Sequence, residues 1–190
     1  NDDSDYTWRK AIKTKTFWLI SMGHASTSVV VVTLMVHLGT MLSDRGFSLQ
    51  TIGWVVATQT GVTALFNLAG GYLGDKIPIR IALFIFSVIQ TAGLVILLAA
   101  NTLSMVYIFA VVYGIGFGGR TPLTTSIRGE YFGRKAFASI TGFSMIPMNI
   151  LHLVAPLFAG VMFDLTHSYD IPFSVIAMVS LIGGFLFLLL

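Results

Sequence analysis

The sequence contains no cysteine and few charged residues, and both shortages exclude functions. Without a cysteine among its 190 residues, the chain forms no disulfide and offers no thiolate nucleophile or thiolate metal ligand. Asp, Glu, Lys and Arg make up 10% of the chain, against about 25% in a typical soluble domain. The motifs His-Glu-x-x-His and Gly-x-Ser-x-Gly do not occur, which argues against a zinc or serine hydrolase. The chain is therefore not expected to be an enzyme.

Long apolar stretches fill the sequence instead. Hydrophobic residues make up 55% of the chain, and the mean hydropathy is +0.86. One helical membrane crossing takes about 20 apolar residues, so six crossings use nearly the whole chain. We predict an all-α membrane protein with six transmembrane helices that follow a cytoplasmic linker segment, 1–16. The predicted spans are 17–42, 51–73, 81–99, 104–127, 138–163 and 172–190.

Basic residues mark one side of this predicted bundle. Arg45 is the one basic residue in the alternate breaks of the other side, and Arg120 lies inside the fourth span. Because Lys and Arg concentrate in cytoplasmic loops, we expect the N-terminus of the chain to lie in the cytoplasm. We expect the protein to be a multi-pass protein of the plasma (inner) membrane. The pattern indicates a lipid bilayer, and no nucleic acid, as the partner. The basic residues on the predicted cytoplasmic side are Arg9, Lys10, Lys13, Lys15, Lys76, Arg80, Arg128, Arg134 and Lys135.

An internal repeat supports the six-span layout. Shifting the sequence by about 89 residues brings two Gly-x-x-x-Asp phrases together, one at the end of the second span and one at the end of the fifth. By the charge rule these phrases lie on opposite sides of the membrane, which predicts two inverted three-helix repeats over about 17–99 and 104–190. The superposed pairs are Arg45 with Arg134, Gly53 with Gly142, Gly71 with Gly160, and Asp75 with Asp164.

Several phrases resemble the C-terminal half of the major facilitator superfamily. Residues 71–80, GYLGDKIPIR, resemble its loop motif Gly-x-x-x-Asp-Arg/Lys-x-Gly-Arg-Arg/Lys, with departures at Pro78 and Ile79. Residues 156–164, PLFAGVMFD, resemble the end of the eleventh span in the monocarboxylate porter and oxalate/formate antiporter branch. The resemblance implies a twelve-span protein of which this chain is spans seven to twelve, so that an N-terminal six-helix half is missing.

Arg120 is the strongest candidate for a substrate contact. It follows Gly114, Gly116, Gly118 and Gly119 in the fourth span, where a cation costs roughly 2.5–3.5 kcal/mol on insertion scales. No acidic residue lies deep in a span to pair with it, and a guanidinium can hold a carboxylate through two parallel hydrogen bonds. We therefore predict a small organic anion, a monocarboxylate or dicarboxylate, as the substrate. Snorkelling to the interface and a gate pair with the missing half are the alternatives.

Polar side chains in other spans are expected to line the same cavity. Asn149 and His152 lie three residues apart and share one face of the fifth span. Each is predicted to bind substrate or, alternatively, to hydrogen-bond a neighbouring helix. His37 lies near the outer end of the first span and is expected at the interface. Further candidates for substrate binding are Gln59, Asn67 and His24.

Charged residues at the cytoplasmic helix ends form an ionic latch according to the family resemblance. Such a latch closes the cytoplasmic side in one state and opens in the other, with Asp75 pairing with Arg134 or a neighbour. Ile79, where the family favours Arg, predicts a weaker latch. The alternative is that these charges only mark topology. The predicted latch residues are Asp75, Lys76, Arg80, Glu130 and Arg134.

The glycines of the fourth span match a dinucleotide-binding pattern by their letters alone. They lie inside an apolar helix with no preceding strand, so we interpret them as sites of close helix packing or of flexing. Pro122, Pro147 and Pro156 are predicted to kink or weaken their helices.

The leading functional interpretation is a secondary transporter half that works by alternating access. A free-standing six-span protein that forms a homodimeric transporter, and a transporter of a different small solute, are the alternatives. No cofactor or metal is expected. The coupling ion stays open, because His152 could carry a proton, the missing half could carry it, or the protein could exchange anions.

Overall fold

The computed structural model describes residues 6–190, and the regular elements within that range are helices. The bounds are α1 (Trp8–Ala11), α2 (Lys15–Asp44), α3 (Leu49–Gly74), α4 (Ile79–Leu98), α5 (Leu103–Phe132), α6 (Phe137–Ser144), α7 (Ile146–Thr166), α8 (Asp170–Leu186) and a 3₁₀ turn (Phe187–Leu189). Within residues 6–190, six stretches are long and apolar enough to cross a membrane, with α6 and α7 together forming the fifth and α8 with the 3₁₀ turn the sixth. The predicted number of spans is confirmed.

Short hydroxyl side chains fix where three of the spans begin. Thr14, Ser48 and Thr102 precede α2, α3 and α5, and each accepts a hydrogen bond from a backbone N–H in the first turn. The donor–acceptor distances are 3.2, 3.2 and 3.4 Å. Because the first N–H groups of a helix have no partner within the helix, these caps set the register with which each apolar run crosses the membrane.

The fifth span is broken into two helices. α6 ends at Ser144 and α7 begins at Ile146, with Pro147 in its first turn. Proline lacks a backbone N–H and fits the first turn of a helix better than its interior, so the break falls where the sequence predicts a weak point. The break also places Ser144 as the last residue of a short helix, where its side chain is buried.

The spans pack in an order that reads the same from both ends. α3 packs on α5, α5 on α4, α4 on α8, α8 on α2, and α2 on α7. Exchanging the equivalent helices of the two repeats (α2 with α5, α3 with α7, and α4 with α8) gives the same order read from the other end. Each helix therefore keeps the same neighbours after the exchange. The second helix of each repeat therefore packs on the first helix of the other repeat, as two inverted three-helix units require.

The interior consists of two apolar clusters with a polar layer between them. One cluster contains Leu34, Leu94 and Phe109 and lies toward the end of the bundle that carries Arg45, and the other contains Phe17 and Leu83. The residues between the clusters are small or polar and are buried. This layer, at the middle of the spans, contains Thr27, Ser28, Ser87, Gln90, Thr91, Gly116, Gly119, Arg120, Ser180 and Gly183.

Glycines in α5 let the neighbouring helices approach until their backbones touch. A Cβ at Gly116 would clash with the backbone nitrogen of Gln90 on α4, and a Cβ at Gly70 would clash with the backbone of Gly119. Small residues allow this kind of approach in membrane helix pairs. The prediction of close helix packing for the glycine run is confirmed, and the contact at Gly116 brings Gln90 beside the middle of α5.

Arg45 caps the C-terminal end of α4. Its NH1 donates to the carbonyls of Leu97 and Ala100 at 2.7 and 2.9 Å, and its NH2 donates to the carbonyl of Leu98 at 3.2 Å. The last carbonyls of a helix lack partners within the helix and attract cations. Burial lowers the pKa of Arg45, and the nearby charge of Asp170 opposes this shift. Arg45 thus has a structural role.

Two spans are much more exposed than the others. Within their most apolar windows, 11% of the second span and 11% of the fifth are buried, against 44–61% for the other four. Both spans are as apolar as a membrane crossing requires. They leave one side of the bundle covered by little of the described chain.

Candidate functional site

Two arginines on α5 are buried inside the bundle. Arg120 and Arg128 are each 1% exposed, and eight residues separate them, or about 12 Å along the helix axis. The fourth span was predicted to end near residue 127, which placed Arg128 in a hydrophilic break. This boundary was wrong, because α5 continues to Phe132 and carries Arg128 into the interior.

Arg120 is held by neutral partners from two other spans. Its Nε donates to Gln90 Oε1 at 2.9 Å, and its NH1 donates to Thr27 Oγ1 at 2.9 Å. Gln90 Nε2 in turn donates to the backbone carbonyl of Thr27 at 3.1 Å, and Thr27 Oγ1 donates to the carbonyl of Gly23 at 2.8 Å. These bonds orient the guanidinium without neutralising its charge. The side chain points into the bundle, so Arg120 does not snorkel to the interface.

Arg128, nearer the C-terminal end of α5, is hydrogen-bonded to three partners. Its Nε donates to Ser144 Oγ at 2.9 Å, its NH1 to the carbonyl of Thr124 at 2.5 Å, and its NH2 to His24 Nδ1 at 2.7 Å. The hydroxyl of Ser21 lies 2.9 Å from that of Ser144. α2, α5 and α6 therefore meet at this guanidinium.

A cavity of about 190 Å³ lies beside Arg120, between α2, α5 and α7. Within the described part of the chain, its lining contains one cation, two histidines and no carboxylate. Nε2 of His152 is buried there without a hydrogen-bond partner in the described chain, and an unpaired buried polar atom is unfavourable unless a ligand or water satisfies it. The lining residues are His24, Ser28, Val31, Phe117, Arg120, Thr121, Thr124, Met148 and His152.

A larger depression of about 560 Å³ lies at the end of the bundle that carries Arg45. Its lining includes Asp44, Arg45 and Asp170, so charges of both signs are already present. It lies outside the middle of the spans, where substrate sites of inverted-repeat transporters are found. The smaller cavity is therefore the stronger candidate for a binding site.

The structure brings together three of the six residues predicted to bind substrate. Arg120, His152 and His24 line the cavity, whereas Asn149 is exposed on α7. Gln59 and Asn67 lie on α3 outside this lining; Gln59 Oε1 is buried there without a partner in the described chain, and Asn67 is half-buried.

His37 is held near the C-terminal end of α2. Its Nε2 lies 3.0 Å from the carbonyl of Pro156 and must donate to it, and its Nδ1 lies 3.4 Å from the hydroxyl of Tyr169. These contacts join the first span to the fifth and sixth.

The five predicted latch residues are all exposed. Within residues 6–190, no side-chain hydrogen bond joins Asp75 to Arg134, and Lys76 instead lies over the ring of Tyr72, 5.6 Å from its centroid. The latch stays a prediction about another conformation or about contacts beyond this chain.

Sequence reasoning missed the residues that hold the arginines. Gln90 is the one amide side chain in α4 and is fully buried, so its isolation in an apolar helix could have identified it. Thr27 and Ser144 gave no comparable signal, because Ser and Thr are common in membrane helices. Arg128 was counted among the loop charges.

Similarity to known proteins agrees with this architecture. The chain is 23% identical over 160 residues to the Uncharacterized transporter YycB of Bacillus subtilis, a match that covers 83% of this chain and 40% of the relative. It is 24% identical over 185 residues to Monocarboxylate transporter 11 of Mus musculus, covering 93% of this chain and 41% of that protein. It is also 24% identical over 147 residues to the Putative multidrug resistance protein MdtD of Salmonella paratyphi B, covering 77% and 31%.

The chain thus spans less than half the length of these relatives. Residues 17–190 match the sequence pattern of the Major Facilitator Superfamily, and this range contains all six spans apart from the first two residues of α2. The match covers far more than half of the chain, and the inverted repeats agree with it. The chain therefore belongs to the Major Facilitator Superfamily.

Proposed function

We propose that the chain is the C-terminal six-helix half of a secondary transporter that moves a small organic anion by alternating access. The observation that carries this proposal is Arg120, a buried cation at mid-span that lines a cavity to which residues 6–190 contribute no carboxylate. The substrate would be a monocarboxylate or a dicarboxylate. It would bind at the cavity of about 190 Å³, which the other half would complete.

The electrostatics of the cavity favour an anion. Charges interact far more strongly in a protein interior than in water, and the partners of Arg120 in the described chain, Gln90 and Thr27, are neutral. A carboxylate beside this guanidinium would compensate its charge and accept hydrogen bonds from it. A cationic solute would add repulsion to a charge that is already buried.

The two exposed spans support the proposal that the intact protein has a second six-helix half. Transporters of this superfamily consist of two halves, each built from inverted three-helix repeats, and their substrates bind near the bilayer midplane. The second and fifth spans, each 11% buried, are suited to face that half across a substrate path. The relatives are more than twice as long as the matched part of this chain, which is consistent with a second half in the intact protein.

The names of the relatives support a function in transport but point to different substrates. One is named a monocarboxylate transporter and another a putative multidrug resistance protein. Arg120 and the absence of carboxylates from the lining favour the anion. We further propose that the protein lies in the plasma (inner) membrane with the N-terminus of this chain in the cytoplasm, because the basic residues cluster on that side.

The test is uptake of labelled oxalate and L-lactate by proteoliposomes that contain the intact protein. Arg120→Gln should reduce uptake at least roughly tenfold, since a lost hydrogen bond to a charged group is worth about 1.5–3 kcal/mol. Arg9→Gln is the matched control, because Arg9 is exposed, and it should leave uptake unchanged. Full uptake by the Arg120→Gln protein, or none by the unaltered protein, would contradict the proposal.

A further inference from the structure

We infer that His24 donates a hydrogen bond to the substrate through Nε2–H, and that Arg128 is the positioning residue that fixes this tautomer. The inference rests on the proposed anion site, because His24 lines the same cavity as Arg120. It assigns a role to Arg128, which by sequence was only a topology-marking charge.

The tautomer follows from the chemistry of the Arg128 side chain. A guanidinium carries only hydrogen-bond donors, and Arg128 NH2 lies 2.7 Å from His24 Nδ1. Nδ1 must therefore accept this bond with its lone pair. A neutral imidazole that accepts at one nitrogen carries its proton on the other, so the proton of His24 is on Nε2.

Arg128 is itself rigidly held, which makes the assignment stable. Nε and NH1 are engaged by Ser144 Oγ and by the carbonyl of Thr124, and the side chain is 1% exposed. Of the three guanidinium nitrogens this leaves NH2, which lies 2.7 Å from His24 Nδ1 on α2. The imidazole ring cannot turn its Nδ1 into the cavity without leaving a buried donor unpaired.

The cavity then contains two donors of fixed orientation on different helices. The first is the guanidinium of Arg120, whose NH2 makes no hydrogen bond within residues 6–190, and the second is Nε2–H of His24. The groups around His24 are cationic or neutral, namely Arg120 and Arg128 on α5 and His152 on α7. A second proton on His24 would add a positive charge beside two buried cations. His24 therefore supplies a donor without charge, suited to the second oxygen of a carboxylate.

Two substitutions of His24 distinguish the roles of its two ring nitrogens. The amide of Asn reaches the position of Nδ1 and can still accept from Arg128, whereas the amide of Gln reaches the position of Nε2 and can still donate into the cavity. In the intact protein, His24→Asn should raise the KM for oxalate and for L-lactate roughly tenfold or more. His24→Gln should raise the KM less than His24→Asn does, because its amide keeps a donor in the cavity. Equal losses, or a larger loss in His24→Gln, would overturn the inference.

The role of Arg128 is tested by a double-mutant cycle. Arg128→Lys keeps the charge but loses the fork that reaches His24, Ser144 and Thr124 together. It should raise KM with kcat nearly unchanged when His24 is present, and should have little further effect in a His24→Gln background. A purely structural role would lower transport equally in both backgrounds, which would overturn the positioning role.

A ligand-free measurement reads the tautomer directly. Nitrogen-15 NMR of the intact protein with labelled histidine distinguishes protonated from unprotonated ring nitrogens, and His24→Gln identifies the signals of His24. We expect an unprotonated Nδ1 and a protonated Nε2. A protonated Nδ1 would overturn the inference even if every variant transports.

These experiments distinguish a failure of the inference from a failure of the proposed function. If the unaltered protein takes up neither oxalate nor L-lactate, the anion-transport proposal fails and the substrate role of His24 fails with it. If uptake depends on Arg120 and is unaffected by His24→Asn, the proposed function stands and the inference alone is wrong.

Discussion

Thr91 Oγ1 and Ser180 Oγ lie 2.8 Å apart and form a hydrogen bond between α4 and α8. The two residues are separated by 89 positions, the same offset that superposes Asp75 on Asp164. A residue that touches its own counterpart must lie on the axis that relates the two repeats. The pseudo-twofold axis therefore passes between α4 and α8 at this bond, in the polar layer that contains Gln90.

The same offset relates Thr63 on α3 to His152 on α7. Thr63 Oγ1 and His152 Nε2 are both buried without a hydrogen-bond partner in the described chain. Because the axis maps one helix onto the other, these atoms lie at equivalent depths of the two exposed spans. The repeat thus places unsatisfied polar atoms on both sides of the surface that we propose faces the other half.

The hydrogen bond from Arg120 to Gln90 gives the first prediction. Gln90→Leu leaves Nε of a buried guanidinium without its acceptor and should destabilise the protein by about 1–3 kcal/mol. Gln90→Glu keeps the shape and supplies a carboxylate that compensates Arg120, so the fold should be retained while anion binding falls sharply. Thermal unfolding in detergent and oxalate binding measure the two effects.

Gln50 provides the control for both substitutions, because it is exposed at the start of α3. Gln50→Leu and Gln50→Glu should alter neither stability nor oxalate binding by much. Strong oxalate binding by the Gln90→Glu protein would show that Arg120 does not attract the anion.

A second prediction concerns the contact between α4 and α5. Gly116→Ala forces the two helices apart, because the added Cβ would meet the backbone of Gln90, and overpacking of this kind costs about 1–3 kcal/mol. The shift should also weaken oxalate binding, since Gln90 orients Arg120. Gly61→Ala on α3 is the control: nothing lies within 4 Å of a Cβ there, and alanine is the better helix former. Equal unfolding temperatures for the two variants would contradict the packing argument.

The number of spans and the repeat could be predicted from the sequence because both depend on patterns along the chain. Apolar runs of membrane length, and an offset shared by Asp75 and Asp164, need no knowledge of contacts. The end of the fourth span was missed, since Arg128 looks like a loop charge until Ser144 and His24 are brought to it from other helices. Gln90 could have been noticed as an amide in an apolar helix. Its bond with Arg120 could not be predicted, because it depends on the close approach of α4 and α5 at Gly116.

Among the residues predicted to bind substrate, Arg120 could be singled out by sequence because an unpaired cation in an apolar helix requires a compensating environment. Asn149 followed from its spacing to His152, yet a shift of three residues turns a side chain by about 60° around a helix. That rotation is enough to put Asn149 on the exposed surface while His152 lines the cavity. Spacing along one helix therefore predicted a common face but not a common cavity.

The orientation in the membrane gives a third prediction, for which the lack of cysteine is useful. Asn101→Cys and Lys135→Cys introduce single thiols at exposed positions on opposite sides, with no native thiol in this chain. A membrane-impermeant maleimide should label the first in intact cells and the second only after permeabilisation, because basic loops stay in the cytoplasm. The intact protein without the added thiols is the control. The reverse labelling pattern would show an inverted topology.

The predicted latch leads to the last prediction. Asp75→Asn should change the maximal rate of transport more than the KM for oxalate, because Asp75 is exposed at the end of α3, far from the cavity lining. An exposed ion pair is worth about 0.2–1 kcal/mol, so the change in rate should be no more than roughly fivefold. Asp164→Asn, at the repeat-related position on the opposite side, is the matched control and should leave a cytoplasmic latch intact. A rise in KM with an unchanged maximal rate would place Asp75 in substrate binding and would contradict the latch.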